Sequence, residues 1–455
     1  MPEEIDRARL RVVILAAGLG TRMRSKRPKM LHTLGGRTLI ERCVETAARL
    51  VDDRPIVVTG YGGEAVRAAI ADRAVCVTQD PPLGTGHALA QAEAVARGAQ
   101  HILVTYGDVP LLTPELLRQL IGLCESSGAA IAMLTVLADD PRGFGRVVRD
   151  SSGERVLAIV EDVACTPEQR AIREINVGAY CFDGDWLWPA LQRVRPNPHN
   201  GEYFLTDLIA LAIADGREVR ALPAEDRSAC IGINTRADLA RAEVALRRRI
   251  NHQHMLNGVT LLDPDTTYIE EGVTIGADTV IWPNTHLLGE TRIGSECQIG
   301  PNTLIASSLL GDRVQVVQSV VEDSQVADDV HIGPFAHLRA GAHIGPGVHI
   351  GNFAEIKNST LGAGTRMGHF SYLGDATVGA DVNIGAGTIT CNYDGVRKHR
   401  TVIGDHAFIG SDTMLVAPVS VGHRARTGAG AVVTKDVPDD TLAVGLPARV
   451  IRKLR

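Results

Sequence analysis

Residues 326–356 read VADDVHIGPFAHLRAGAHIGPGVHIGNFAEI, and within them Val326, Ile332, Leu338, Ile344, Ile350 and Ile356 recur every sixth position. Neither a helical period nor a two-residue alternation accommodates this spacing. Two further series share it: Ile275, Ile281, Leu287, Ile293, Ile299 and Ile305 upstream, and Ile403, Ile409, Leu415 and Val421 downstream, with glycine after several of these residues. A small aliphatic every sixth residue with glycine at many turns predicts a left-handed parallel β-helix, with three short strands in each coil of about 18 residues and roughly ten coils over 256–455. Its narrow core takes one aliphatic per strand, which accounts for only 4% aromatics beside 47 glycines.

Breaks in the period carry information too. Ile356 to Leu361 and Leu373 to Val378 are five apart. Coils around 352–390 are therefore one residue short, which stacks His369 over Asn352 and Tyr372 over Glu355. The segment Cys391 to Thr401 interrupts the repeat as a loop. His331, His337, His343 and His349 lie six apart at an outward phase without an evident acidic neighbour, a pattern of coil surface rather than of a zinc site.

The first half has a different grammar. From Arg11 to Asn234, apolar runs such as Val12-Val13-Ile14-Leu15, Ile56-Val57-Val58 and Ile102-Leu103-Val104 alternate with helical periods, one of which aligns Leu39, Ile40, Cys43, Val44, Ala47 and Leu50. This predicts an α/β, Rossmann-like domain with a mostly parallel sheet, whose ligands gather at the C-terminal strand ends. Thr235 to His254 has no Pro or Gly and repeats Leu239, Ala242, Leu246 and Ile250, a connecting helix capped by Thr235 or Asn234. Its Arg247-Arg248-Arg249 run is read as a solvated face. The expected domains are 1–233, a linker helix 234–255, and 256–455.

The 455 residues are 45% hydrophobic and 22% charged with net charge -6, which excludes a disordered chain and gives no basic block for nucleic acid. Eight cysteines show no CxxC pair, so they are expected as free thiols. The start, Met-Pro-Glu-Glu-Ile-Asp, has no signal-peptide pattern, and no apolar run approaches a membrane span. A cytoplasmic protein without membrane insertion is expected.

Strand Val12 to Leu15 runs into Ala16-Ala17-Gly18-Leu19-Gly20-Thr21-Arg22-Met23, followed by Pro28-Lys29. Free backbone N–H groups at a strand end with nearby cations suit a polyphosphate. Taken alone, the segment fits a tight βα turn equally well. Leu83-Gly84-Thr85-Gly86-His87-Ala88 and Tyr106-Gly107-Asp108-Val109-Pro110 follow, and Asp108 at a strand end is a natural Mg²⁺ ligand.

Together these strings resemble the signature of sugar-1-phosphate nucleotidyltransferases. Joined to hexapeptide coils, the chain resembles, over nearly its whole length, the bifunctional N-acetylglucosamine-1-phosphate uridyltransferase/glucosamine-1-phosphate N-acetyltransferase family. The resemblance implies that Leu15, Ala16, Ala17, Gly18, Gln79, Gly84, Thr85, Tyr106, Gly107 and Asp108 hold the UTP nucleotide, with Arg22 and Lys29 on its phosphates. Gly145, Glu161, Asn176 and Asn234 would bind N-acetylglucosamine-1-phosphate, and Asp108 and Asn234 Mg²⁺. In Met367-Gly368-His369-Phe370-Ser371-Tyr372, His369 would be the general base of acetyl transfer, with Glu355 orienting its imidazole. Arg339, Lys357, Tyr372 and Asn383 would hold glucosamine-1-phosphate. Ala386, Asn392, Tyr393, Ser411 and Ala429 would line the acetyl-CoA groove, with Arg449 at the coenzyme's phosphate. The resemblance also implies a homotrimer with that groove between subunits. A monofunctional nucleotidyltransferase with a structural β-helix is the alternative. A non-catalytic scaffold should have lost Lys29 or Asp108, and both stand.

Overall fold

The computed structural model describes residues 9–139, 141, 145–160, 165–198 and 200–453. It divides into two compact units, Met1–Leu246 and Arg247–Arg455.

The first unit is built on a nine-stranded sheet. Its strands are β1 (Leu10–Ala16), β2 (Ile56–Thr59), β3 (Val75–Thr78), β4 (His101–Tyr106), β5 (Ile131–Leu137), β6 (Arg146–Arg149), β7 (Val156–Val160), β8 (Glu174–Asp183) and β9 (Val219–Pro223). The main order is β9-β5-β8-β4-β1-β2-β3, with the β6–β7 hairpin against β8. Pairing is parallel except at β8, which runs antiparallel to β4 and β5, and in that hairpin. Alternation along β1 sorts its side chains to two cores: Val13 and Leu15 face one, Val12 and Ile14 the other. Helix α1 (Leu39–Ala48) covers the second, with the predicted stripe from Leu39 to Leu50 buried, and Thr38 and Glu41 close a reciprocal capping box. Helix α2 (Pro114–Ser127) packs on the same face. At the C-terminal rim, β1, β2, β3 and β4 end side by side at Ala16, Thr59, Thr78 and Tyr106.

Helix α3 spans Arg236–Leu256. Thr235 caps it: its hydroxyl accepts from the Asp238 N–H at 3.2 Å, while the Asp238 carboxylate accepts from Thr235 N–H at 2.8 Å. Asn234 is thereby free for another task. Ala242 and Leu246 are buried in the first unit, and Asn251, wholly buried, donates to the carbonyls of Pro264 and Thr267 in the second. The arginine run is only partly a solvated face. Arg247 lies 4.6 Å over the Tyr268 ring, and Arg248 sits 3.5 Å from Asp265.

The second unit is the expected left-handed parallel β-helix. Its three sheets hold twelve, ten and nine strands, nearly all of two to four residues and parallel to their neighbours. Most strands bury one aliphatic, as Ile281, Ile299, Val316, Ile332 and Ile350 do along one face. Tyr372 pairs with Glu355 as the shortened coil requires, and residues 392–400 loop out between strands Ile389–Cys391 and Thr401–Ile403. A second irregular region was not anticipated: Leu304 pairs with Val320 and Leu309 with Gln325, giving 16-residue coils. The four histidines do not stack together. His331 and His349 share one face with rings 4.9 Å apart, His337 and His343 occupy the other two, and His337 does have an acidic neighbour, Glu322 at 3.0 Å.

Candidate active sites

In the first unit a cavity of about 490 Å³ opens at the C-terminal rim of the sheet. Leu15, Ala16, Ala17, Gly18, Arg22, Lys29, Gln79, Gly84, Thr85, Tyr106, Asp108 and Asn234 all line it. Gly107 stands behind this lining, its N–H bonded to the Leu15 carbonyl at 2.9 Å. Lys29 folds inward because Gly20 takes a left-handed φ of 62°, and a Cβ there would stand 2.6 Å from Lys29 Cβ. Asp108 follows the end of β4, and its carbonyl accepts from the Ile233 N–H at 2.8 Å, which draws Asn234 alongside.

These residues meet at one point. Lys29 Nζ is 2.6 Å from Asp108 Oδ2 and 2.8 Å from Asn234 Oδ1, and Arg22 Nη2 donates to the same Asn234 oxygen at 2.9 Å. Two hard oxygens thus converge on a single buried cation, the Lys29 ammonium. Such a donor pair fits Mg²⁺, which commonly takes one or two protein oxygens and completes its shell with water and phosphate. Burial pushes the Tyr106 hydroxyl up to about 12, so it stays protonated at neutral pH.

Glu202 and Phe204 also line this cavity and were missed by the sequence reading. Their segment is laced to the glycine loop: Gly86 N–H reaches the Tyr203 carbonyl at 2.8 Å, Tyr203 N–H the Leu83 carbonyl at 2.8 Å, and Leu205 N–H the Thr85 hydroxyl at 2.9 Å. Gly84, at φ 96°, leaves no room for a Cβ against the Tyr203 carbonyl. An aromatic pair after Gly201, in a chain poor in aromatics, was the only available sign. Asn176 is not among the residues lining the cavity. It donates to the Tyr180 hydroxyl at 2.6 Å, where the β8–β5 register shifts. Gly145 is half-buried just before β6, and Glu161 lies outside the described residues.

In the β-helix a cavity of about 820 Å³ is lined by His349, Arg366, His369, Asn383, Ala386, Phe408, Ser411 and Ala429 among others. His369, Asn383, Ala386, Ser411 and Ala429 are therefore brought together as expected. Arg366 and His349 were not foreseen. A second group forms on the face carrying Tyr372: Arg339 Nη1 donates to Glu355 Oε1 at 2.7 Å, and the Lys398 and Arg339 charges lower the Lys357 ammonium below its ordinary value. Repulsion of that kind marks a place for an anion. Glu355 was expected to orient His369. Glu355 shares its face with Arg339, which takes its carboxylate, and it does not line the His369 cavity.

Lys398 comes from the 392–400 loop, which Asp394 holds in shape by accepting from the Arg397 and Val396 N–H groups at 2.6 and 2.7 Å and from His399 at 2.6 Å. Asn392 is buried and donates to Asp375, whereas Tyr393 is exposed; neither lines the His369 cavity within one chain. Arg449 lies exposed on the C-terminal hairpin strand Ala448–Lys453, also off that cavity.

An α/β unit with a lysine-paired carboxylate in the cavity at the C-terminal rim of its sheet, followed by hexapeptide coils, defines a two-domain transferase. Residues 12–175 match the MobA-like NTP transferase domain family, and 269–307, 323–358 and 400–435 match the bacterial transferase hexapeptide (six repeats). The stretches skipped between those matches, 308–322 and 359–399, take in part of the short coils and most of the 392–400 loop. The chain is 48% identical over 433 residues to the bifunctional protein GlmU of Heliobacterium modesticaldum, covering 95% of this chain and 94% of that protein. With that of Geobacillus thermodenitrificans the identity is 47% over 439 residues, covering 96% and 95%. The chain belongs to the bifunctional GlmU family. It is a UDP-N-acetylglucosamine pyrophosphorylase in its N-terminal unit and a glucosamine-1-phosphate N-acetyltransferase in its hexapeptide unit.

Proposed function

We propose that Lys29, Arg22, Asp108 and Asn234 carry the uridylyl transfer and His369 the acetyl transfer. In the first reaction a phosphate oxygen of N-acetylglucosamine-1-phosphate attacks the α-phosphorus of UTP in line, and pyrophosphate leaves. No protein nucleophile is needed. Lys29 and Arg22 neutralise the charge that spreads over the phosphoryl oxygens, and the loop from Leu15 to Gly18 with Gln79, Gly84 and Thr85 fixes the nucleotide for attack. Asp108 and Asn234 would hold Mg²⁺, which when bound supplies positive charge at the transferring phosphate. Lys29 then yields its place between the two oxygens and turns to the phosphates. Gly145, Glu161 and Asn176 are assigned to the sugar.

In the second reaction His369 accepts a proton as the 2-amino nitrogen of glucosamine-1-phosphate attacks the acetyl-CoA thioester, and the coenzyme leaves as its thiol. Arg339 and Lys357, joined by Lys398, bind the sugar phosphate, with Tyr372 and Asn383 completing the site. Glu355 positions the Arg339 guanidinium. Ala386, Ser411 and Ala429 are small enough to admit the pantetheine arm, and Asn392 and Tyr393 approach it as part of a homotrimer. Arg449 is retained only as a contact for the coenzyme's phosphate. A cytoplasmic location fits a chain in which, among the described residues, no helix is long and apolar enough to cross a membrane.

The observation that carries the first assignment is the convergence of Lys29 on Asp108 and Asn234. The test supplies glucosamine-1-phosphate, acetyl-CoA, UTP and Mg²⁺. Omitting Mg²⁺ should stop UDP-sugar formation while N-acetylglucosamine-1-phosphate still accumulates, and continued UDP-sugar formation in chelator would defeat the metal assignment.

A further inference from the structure

The end of the sheet opposite the nucleotide rim holds a group of side chains that neither reaction uses. His101 is the first residue of β4, the strand that delivers Asp108 at its other end. In the antiparallel β4–β8 pair, His101 faces Asp183 and Leu103 faces Cys181. Residues two apart share a face, so His101 and Cys181 are diagonal neighbours on one side of the sheet. Helix α2 covers that side and brings Cys124 down between them. The imidazole and the two thiol sulfurs all lie within 4.8 Å of one another, the one such grouping of potential metal donors among the described residues.

These groups are partnered mainly with one another. Cys124 and Cys181 are completely buried. Cys124 Sγ contacts the Cys181 carbonyl at 3.4 Å and the Ala129 carbonyl at 3.6 Å, and it also interacts with the Cys181 and His101 side chains. His101 Nδ1 is buried with no hydrogen-bond partner, and Nε2 lies 3.8 Å from Glu125 Oε1, too far for a good bond. A buried ring nitrogen without a partner is costly, and a bound cation would satisfy it.

We infer that His101, Cys124 and Cys181 form a binding site for a thiolate-seeking divalent cation of the zinc class. Two thiolates and an imidazole are the ligands zinc prefers, at about 2.3 Å for sulfur and 2.0–2.1 Å for nitrogen. At those lengths tetrahedral ligand atoms stand roughly 3.5–3.8 Å apart, so closing the present group takes shifts of about 1 Å. Glu125, beside His101 on the accessible side, is positioned as fourth ligand or as the hydrogen-bond partner that orients the ring. Mg²⁺ is excluded by ligand type, which keeps this site separate from the one at Asp108 and Asn234. Occupancy would pin β4, β8 and α2 together beneath the uridyltransferase rim.

The test uses the full-length protein, freed of metal by chelation and titrated with Co²⁺ as a spectroscopic probe. One equivalent should produce a thiolate-to-cobalt charge-transfer band that Zn²⁺ displaces. The band should vanish in Cys124→Ala and Cys181→Ala and weaken at least tenfold in apparent affinity in His101→Asn. Asn keeps a polar side chain at the first residue of β4, so this variant reports even if the buried cysteine variants fold poorly. Zn²⁺ at a hundredfold excess over Kd should raise the wild-type unfolding midpoint by about 5–10 °C and leave that of His101→Asn unmoved. Absence of the band in the wild type, or its persistence in the two cysteine variants, would overturn the assignment.

Discussion

Lys29 decides how the uridyltransferase rim is organised, since its ammonium neutralises Asp108 and polarises Asn234 at the same time. Lys29→Ala should lower kcat for uridylyl transfer by roughly 10²–10³, the usual cost of losing one preorganised charge on the developing transition state. Acetyl transfer by the same variant should be unchanged, and steady-state assays of both reactions would check the pair. His369→Ala should cost roughly 10²–10⁴ in acetyl-transfer rate while uridylyl transfer survives; a loss under about tenfold at saturating substrate would leave the base unassigned. Lys29 and Asp108 were legible in the sequence because each sits in a short contiguous motif tied to a strand end. The partner of Glu355 was not, because the Arg339 contact depends on which coil edge each side chain leaves from. Cys124 and Cys181 are 57 residues apart and meet only through a strand pair and a helix, so inspection of spacing could not find them.

Among the elements, the coils were the most legible, since a six-residue period admits no other packing, and the helix boundary was nearly so. The 16-residue coils near 304–332 escaped notice because a five-residue step between aliphatics looks locally like noise until the register is seen. The 392–400 loop invites a specific test. The Arg397 N–H first, then His399 and the Val396 N–H, hold the Asp394 carboxyl well below the usual carboxylate range. A depressed carboxyl stabilises the folded loop above the unfolded value near about 3.9 and stops doing so as pH falls through its own lower value. At pH 7 the contribution is therefore fully present. Asp394→Ala should speed hydrogen exchange across 394–400 and raise KM for glucosamine-1-phosphate several-fold through Lys398, and the exchange difference from wild type should disappear in strong acid. Asn251 ties α3 to the first coil in the same local sense. Asn251→Ala removes both donors to the Pro264 and Thr267 carbonyls, of which the latter is buried, so the β-helix should lose about 1–3 kcal/mol, read as a lower unfolding midpoint.

At the scale of the whole molecule, the apolar cores are separate: one cluster runs from Val259 to Ala443, and two lie within residues 10–224 of the first unit. Each reaction then depends on its own unit, and Asp108→Ala should remove uridylyl transfer while leaving acetyl transfer near wild type. The β-helix adds a feature that bears on the proposed homotrimer. Phe335, Phe353 and Phe370, three of the chain's seven phenylalanines, repeat at 18- and 17-residue steps and are each more than half exposed, with the first two rings stacked 5.2 Å apart. The three rings sit at turns between strands and form an exposed apolar row, the kind of surface that a second copy would cover in the proposed homotrimer. Phe370 adjoins His369 in sequence, so the row runs beside the acetyltransferase cavity, where the proposed homotrimer would bring a neighbour's Tyr393 loop to the acetyl-CoA groove. Phe353→Glu places a charge in that row without touching either cavity. Light scattering should then report the chain mass in place of three times that mass, and acetyl transfer should fall with it while uridylyl transfer persists. A wild-type protein that scatters as a monomer yet transfers acetyl groups at full rate would show that one chain completes the site by itself.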